Sequence, residues 1–192
     1  MNILTFDIEE WYIEKAFNGN HNDKYKEFDS LLNSILDKLD ESKLKATFFC
    51  VGKMATDFPY VVKEISNREH EVGCHSNNHQ WLTTLNNSEL LEDTKVAVDS
   101  IQQCIGKKVL SYRAPAFSIC EKNPYAWGAL IEAGIQRDAS VFPTPRDFGG
   151  YPSFGYDEPV SISYTGSCIH EFPIATTSVF GKQIAYSGGG YF

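Results

Sequence analysis

Glu71-Val72-Gly73-Cys74-His75-Ser76-Asn77-Asn78-His79 is a short apolar run that opens into a polar loop bracketed by two histidines. The apolar part reads as a strand. Imidazoles four residues apart can face the same way over one helical turn, or converge from a strand end and the loop after it, so His75 and His79 can grip one metal ion. The stretch therefore predicts a strand whose C-terminal end carries chemistry.

Working outward, the same alternation of strand and helix recurs along the chain. Residues Ile3 to Asp7 and Ala46 to Val51 read as strands, and Phe28, Leu31, Leu32, Ile35, Leu36 and Leu39 follow the spacing of an amphipathic helix starting near Asp29 or Ser30. Phe58, Val61, Val62 and Ile65 mark a second helix. Leu90, Thr94, Val98, Ile101 and Ile105 mark a third, with Ser88 as its expected cap and Glu89 and Glu92 in its first turn. Val109 to Tyr112 reads as a fourth strand, Tyr125 to Ala133 as a helix stopped by Gly134, and Gln136 to Ser140 as a fifth strand.

Repeated strand and helix units imply an α/β fold with a parallel sheet, either open or closed into a barrel. The polar residues of interest, Asp7 and Glu9, His75, Arg113 and Asp138, fall at the C-terminal ends of several different strands, which favours the barrel. From Pro143 to Gly155 the chain turns rich in Pro, Gly and aromatic residues and reads as a surface loop. Shorter strands are expected at Val160 to Ser163 and Cys168 to Phe172. The chain reads as one domain over residues 1–192 that lacks a C-terminal segment, because Gly188-Gly189-Gly190-Tyr191-Phe192 is an odd place for a barrel to finish.

The bulk numbers narrow the partners. A formal net charge of −8, with 17 Lys and Arg residues scattered along the chain, argues against nucleic acid or an anionic membrane and for a neutral or cationic substrate. No apolar run is long enough to span a bilayer, and the N-terminus enters the first strand without a leader pattern, so a cytoplasmic location is expected. The odd, scattered set Cys50, Cys74, Cys104, Cys120 and Cys168 reads as reduced core residues.

Asp7 and Glu9 share one face of the first strand, with Glu10 on the other. One carboxylate can complete a two-histidine metal site while another stays ionised and serves as a base toward water. Nitrogen and oxygen donors favour Zn2+, with Co2+, Ni2+, Mn2+ and Fe2+ as the other candidates. Arg113, ahead of Pro115, could pair with Asp7 and keep it ionised, and Asp138 either orients a catalytic group or caps a turn. His21 reads as an exposed loop residue, His70 as a turn residue outside the site, and His170 as a minor candidate. There is no nucleophile elbow, phosphate-binding loop or dinucleotide fingerprint.

Taken in order, Thr5-Phe6-Asp7, Ala46-Thr47-Phe48-Phe49 with Gly52, His75 to His79, Arg113-Ala114-Pro115 and Asp138-Ala139-Ser140 resemble the polysaccharide deacetylase family with the NodB homology domain, the carbohydrate esterase family 4 type. Asp-x-Glu-Glu-Trp near the start and Gly-Gly-Gly-Tyr-Phe near the end look most like the subgroup tied to exopolysaccharide and capsule loci.

The resemblance implies a distorted (β/α) barrel with fewer than eight repeats. It implies Asp7 as general base, His75 and His79 as metal ligands, and Arg113 as the partner that tunes Asp7. The family's first motif usually has two adjacent aspartates, but Ile8 follows Asp7 here, which moves the ligand role to Glu9, with Glu10 as fallback. The family's late histidine acid has no match after Asp138 unless His170 serves. The implied activity is removal of N-acetyl groups from amino sugars of a polysaccharide or its precursor. The rivals are an allantoinase-like hydrolase of a small cyclic amide and a non-catalytic carbohydrate-binding member of the fold.

Overall fold

A computed structural model describes residues 3–9, 25–146, 149–180 and 182–185. Glu10, Trp11, His21, Phe148 and the glycine run at 188–190, all weighed in the sequence, lie outside the described residues. The chain divides into two compact units, residues 1–79 with 96–109, and residues 80–95 with 110–192.

The first unit is built on three parallel strands, β1 (Thr5–Ile8), β2 (Thr47–Cys50) and β3 (Glu71–Cys74). Phe48, Phe49 and Cys50 are all buried, as are Val72 and Cys74, so these strands bury both faces, as their unbroken apolar runs require. The register sets Asp7 beside Phe49 and Cys50 beside Cys74. Helices α1 (Tyr25–Glu41), α2 (Gly52–Asp57) and α3 (Pro59–Asn67) supply the crossovers. Leu32, Leu36, Leu39, Met54, Val61, Val62 and Ile65 fill the core of this unit. Pro59 opens α3, where its missing N–H costs nothing.

In the second unit β4 (Ser111–Tyr112) pairs in parallel with β5 (Arg137–Asp138), and β5 with β7 (Ser167–Glu171). β6 (Val160–Tyr164) runs antiparallel along the outside of β7. Helix α5 (Ala126–Glu132) buries Trp127 and Leu130, and a separate antiparallel pair, β8 (Thr176–Val179) and β9 (Lys182–Ala185), follows. Helix α4 (Asn87–Ile105) contributes Leu90 and Thr94 to this unit's residues and Ala97, Val98 and Ile101 to those of the first, all buried.

The α/β class with parallel strands and crossover helices is as expected, with fewer than eight such repeats. Among the described residues β1 forms a ladder only with β2, and β6 only with β7, so both strands keep an open edge. Several local expectations are corrected. α1 is already helical at Tyr25, upstream of Asp29 and Ser30, and its Leu31 points to solvent, because an apolar pattern reports the buried stripe and not the helix end. α2 and the β8/β9 pair were not anticipated. His70 is buried, its Nδ1 accepting from the Ala46 N–H at 3.4 Å, and burial together with the charge of Lys45 pushes its pKa down. All five cysteines are free, but only Cys50 and Cys74 are buried, and Cys168 on the outer ribbon is exposed. No described helix is long and apolar enough to cross a membrane.

The cap of α4 is also moved. Asn86, and not Ser88, satisfies the first turn, its Oδ1 accepting from the Ser88 and Glu89 N–H groups at 3.0 Å each, while Glu89 Oε2 accepts from the Asn86 N–H at 2.9 Å. This reciprocal arrangement is a capping box. Asn86→Ala is expected to cost about 1 kcal/mol of stability, whereas Ser88→Ala leaves the midpoint of thermal or urea unfolding nearly unchanged.

Candidate metal centre

β1 ends at Ile8, and Glu9 follows just past the last buried position of the strand. β3 ends at Cys74, and His75 extends its ladder by one bond, donating its N–H to the Cys50 carbonyl at 2.9 Å. The chain then turns sharply. Ser76 and His79 both adopt left-handed backbone angles, φ 60° and 56°. The turn is held from below by α2, whose first N–H groups, those of Gly52 and Lys53, donate to the carbonyls of Ser76 and Asn77 at 2.9 and 3.0 Å. These are donors that any helix start leaves without an internal partner.

That grip depends on Gly52. A Cβ at this position would lie 2.7 Å from both the Ala97 Cα and the Asn77 Oδ1, so only glycine allows the loop and α4 to approach so closely.

The result is a convergence of three side chains. Glu9 Oε2 lies 3.7 Å from His75 Nε2 and is hydrogen-bonded by His79 Nε2. The imidazole rings stand 5.1 Å apart, tilted by 52°. One donor atom from each of Glu9, His75 and His79 falls within 4.8 Å of the others. Zinc ligands sit at about 2.0–2.2 Å from the ion, so two of them are at most about 4.4 Å apart; a small inward movement would let these three share one ion. His75 and His79 are 2% and 8% exposed and Glu9 39%, so the group is walled by the imidazoles and opens on the glutamate side.

Electrostatics agree with that geometry. Burial alone would raise the Glu9 carboxyl, and the neighbouring Asp7 pushes the same way. The hydrogen bond from His79 and the positive potential of both imidazoles outweigh them and hold it below its ordinary value. One ionised oxygen facing two nitrogens is a donor set suited to a divalent cation. Asp7 stands two residues before Glu9 and is exposed, with its charge felt at Glu9.

The remaining expected site residues, Arg113, Asp138 and His170, belong to the second unit. Arg113 follows β4 and is buried, its Nε donating to the Ala139 carbonyl at 3.1 Å and its guanidinium 5.5 Å from the centre of the Phe117 ring. Asp138 ends β5 and is buried, accepting a hydrogen bond from the Ser140 hydroxyl. His170 is exposed on β7, its Nδ1 2.9 Å from Ser161 Oγ.

Strand alternation explains the last case. It turns His170 outward and Glu171 inward, opposite Asp138. Glu171, fully buried, escaped the sequence reading, although its place two residues after the buried Ile169 was the available signal.

A family model for polysaccharide deacetylases matches residues 3–136, more than half of the chain. The chain belongs to the polysaccharide deacetylase family. A domain of unknown function (DUF3473) matches residues 139–192. A Bacillus cereus peptidoglycan-N-acetylglucosamine deacetylase is 34% identical over 93 residues, 48% of this chain and 34% of that protein.

Two solved structures share the fold. A Mycobacterium smegmatis protein described as a polysaccharide deacetylase has a TM-score of 0.67 at 18% identity, over 90% of this chain and 58% of that one. A family 4 carbohydrate esterase pseudoenzyme from Bacillus anthracis has a TM-score of 0.56 at 22% identity, over 71% and 41%. The matched stretches span 34%, 37% and 52% of the three Bacillus cereus relatives.

Gly52→Ala tests how the centre is held. The added methyl group meets the backbone of α4 and the Asn77 side chain, so a stability loss of about 1–3 kcal/mol is expected. Zn2+ affinity, measured by calorimetric titration, should fall by about 10–100-fold, the scale for losing support behind a ligand.

Proposed function

We propose that this chain carries the catalytic centre of a metal-dependent hydrolase that removes N-acetyl groups from amino sugars of a polysaccharide or its precursor. The observation that carries the reading is the convergence of Glu9, His75 and His79, with Asp7 of β1 two residues before Glu9, in a member of the polysaccharide deacetylase family. The relative named for N-acetylglucosamine in peptidoglycan supports an amino-sugar substrate.

In this reading Glu9, His75 and His79 hold the ion, with Zn2+ the first candidate for two imidazoles and a carboxylate. When bound, such an ion acts as a Lewis acid, polarising the acetyl carbonyl and making water a better nucleophile. Asp7 takes the proton that the attacking water loses, on a carboxylate oxygen. Asp7 lies two residues before Glu9 and outside the three-ligand set. Water oxygen bonds to the acetyl carbon, the carbon–nitrogen bond breaks, acetate leaves, and the sugar nitrogen takes up the proton that Asp7 had accepted. Arg113 and Asp138 act in this reading as positioning residues.

Acetate release from N-acetylglucosamine oligomers in the presence of Zn2+ is the direct assay. Asp7→Asn should lower turnover by roughly 10²–10⁴, the usual weight of a general base, while calorimetry shows unchanged Zn2+ binding. Full activity in that variant would remove Asp7 from the mechanism. Ring opening of allantoin without acetate release would instead favour the cyclic-amide hydrolase, and Zn2+ binding with neither reaction the carbohydrate-binding reading.

A further inference from the structure

The second unit contains two buried acids for which the described residues show no ion pair. Asp138 and Glu171 are register partners on the parallel strands β5 and β7, 1% and 0% exposed. Their satisfied atoms have defined roles. Ser140 Oγ accepts from the Ala114 N–H at 2.8 Å, so its own proton is donated to Asp138 Oδ1. Glu171 Oε1 accepts from the Val141 N–H at 3.0 Å.

Asp138 Oδ2, Glu171 Oε2 and Trp127 Nε1 are buried with no hydrogen-bond partner among the described residues, while the electrostatics of both acids link them to each other and to Trp127. The surroundings are aromatic, with Trp127 on α5 packed against Tyr151, at 6.2 Å between ring centres, and Phe154, at 6.0 Å.

The charged and titratable groups nearby are engaged elsewhere. Arg137 precedes Asp138 on the opposite face of β5, its Nε donating to Ser111 Oγ at 2.9 Å. His170 precedes Glu171 on the opposite face of β7, against Ser161. Arg113 binds the Ala139 carbonyl, and Tyr112 is the β4 register partner of Asp138. Two buried carboxylates facing each other without a cation would repel strongly, whereas one proton between them converts the repulsion into a hydrogen bond.

We propose that Asp138 and Glu171 share a single proton across β5 and β7, and that Glu171 is the positioning residue that fixes the Asp138 carboxylate and the chain after it. The Trp127 N–H donates to the same pair from α5. Glu171 is thus the acid that stays neutral and Asp138 the acceptor. Burial and the neighbouring Asp138 push the Glu171 carboxyl well above its ordinary range; burial raises Asp138 too, and its hydrogen bonds with Glu171, Ser140 and Trp127 counter the rise. The part concerning activity rests on the role given to Asp138 above; the shared proton does not.

A group with a raised folded pKa contributes stability below its unfolded pKa, and that contribution is lost as pH rises through the folded value. The full chain should therefore lose thermal stability toward alkaline pH, and Glu171→Gln, which keeps a permanent donor toward Asp138, should flatten that decline. Infrared difference spectra should show a carboxylic acid carbonyl band at neutral pH that vanishes in Glu171→Gln. With active enzyme, the alkaline limb of the kcat profile should move to higher pH in Glu171→Gln and kcat should drop in Glu171→Ala. Absence of the acid band at neutral pH, or alkaline unfolding unchanged in Glu171→Gln, would overturn the shared proton whether or not the chain deacetylates anything. A kcat profile unmoved in an active Glu171→Gln would overturn the positioning role alone.

Discussion

A strand whose residues are buried on both faces can carry a charge only where burial ends, because an ionised group without a partner is too costly inside. In the first unit that constraint places everything of interest. β2 and β3 are apolar through Cys50 and Cys74, so His75 and the turn after it come at the first position where imidazoles have polar company. Glu9 follows the buried Ile8 in the same way. The three side chains converge because parallel strands end on the same side of their ladder.

The turn is as much a part of that centre as the ligands are. Left-handed angles at Ser76 and His79 are uncommon for residues with side chains and carry a backbone cost. The start of α2 offsets it by donating two N–H groups to the carbonyls of the turn, an arrangement that needs the missing side chain of Gly52. A helix start that would otherwise be solvated thus becomes the support of a strained loop.

The second unit meets the same constraint differently. Asp138 and Glu171 lie within paired strands and not beyond them, as register partners that are both buried, each with one oxygen that has no hydrogen-bond partner among the described residues. Neutralising one of the acids is the physically cheap solution. It makes this part of the chain sensitive to pH in a way that its sequence of short strands does not suggest.

Much of this was legible in the residues. Val72-Gly73-Cys74 before His75 marked a buried strand, and the pairs Asp7 and Glu9, His75 and His79 marked the centre, because period-two and loop geometry are local properties. Other features were not local. Asn86 displaced Ser88 as the cap of α4 because capping depends on the actual path into the helix, and His70 entered the core through a contact with Phe48 on another strand.

Sequence by itself determined the strand and helix alternation, the family and the identity of the metal-ligand candidates, since these rest on residue type and spacing. Only tertiary structure decided that Glu9 Oε2 faces both imidazoles, that Gly52 is needed beneath the turn, and that Glu171 and not His170 is the inward acid of β7. The reason is that register and close approach are set between strands and helices far apart in sequence, where neither spacing nor composition carries a signal.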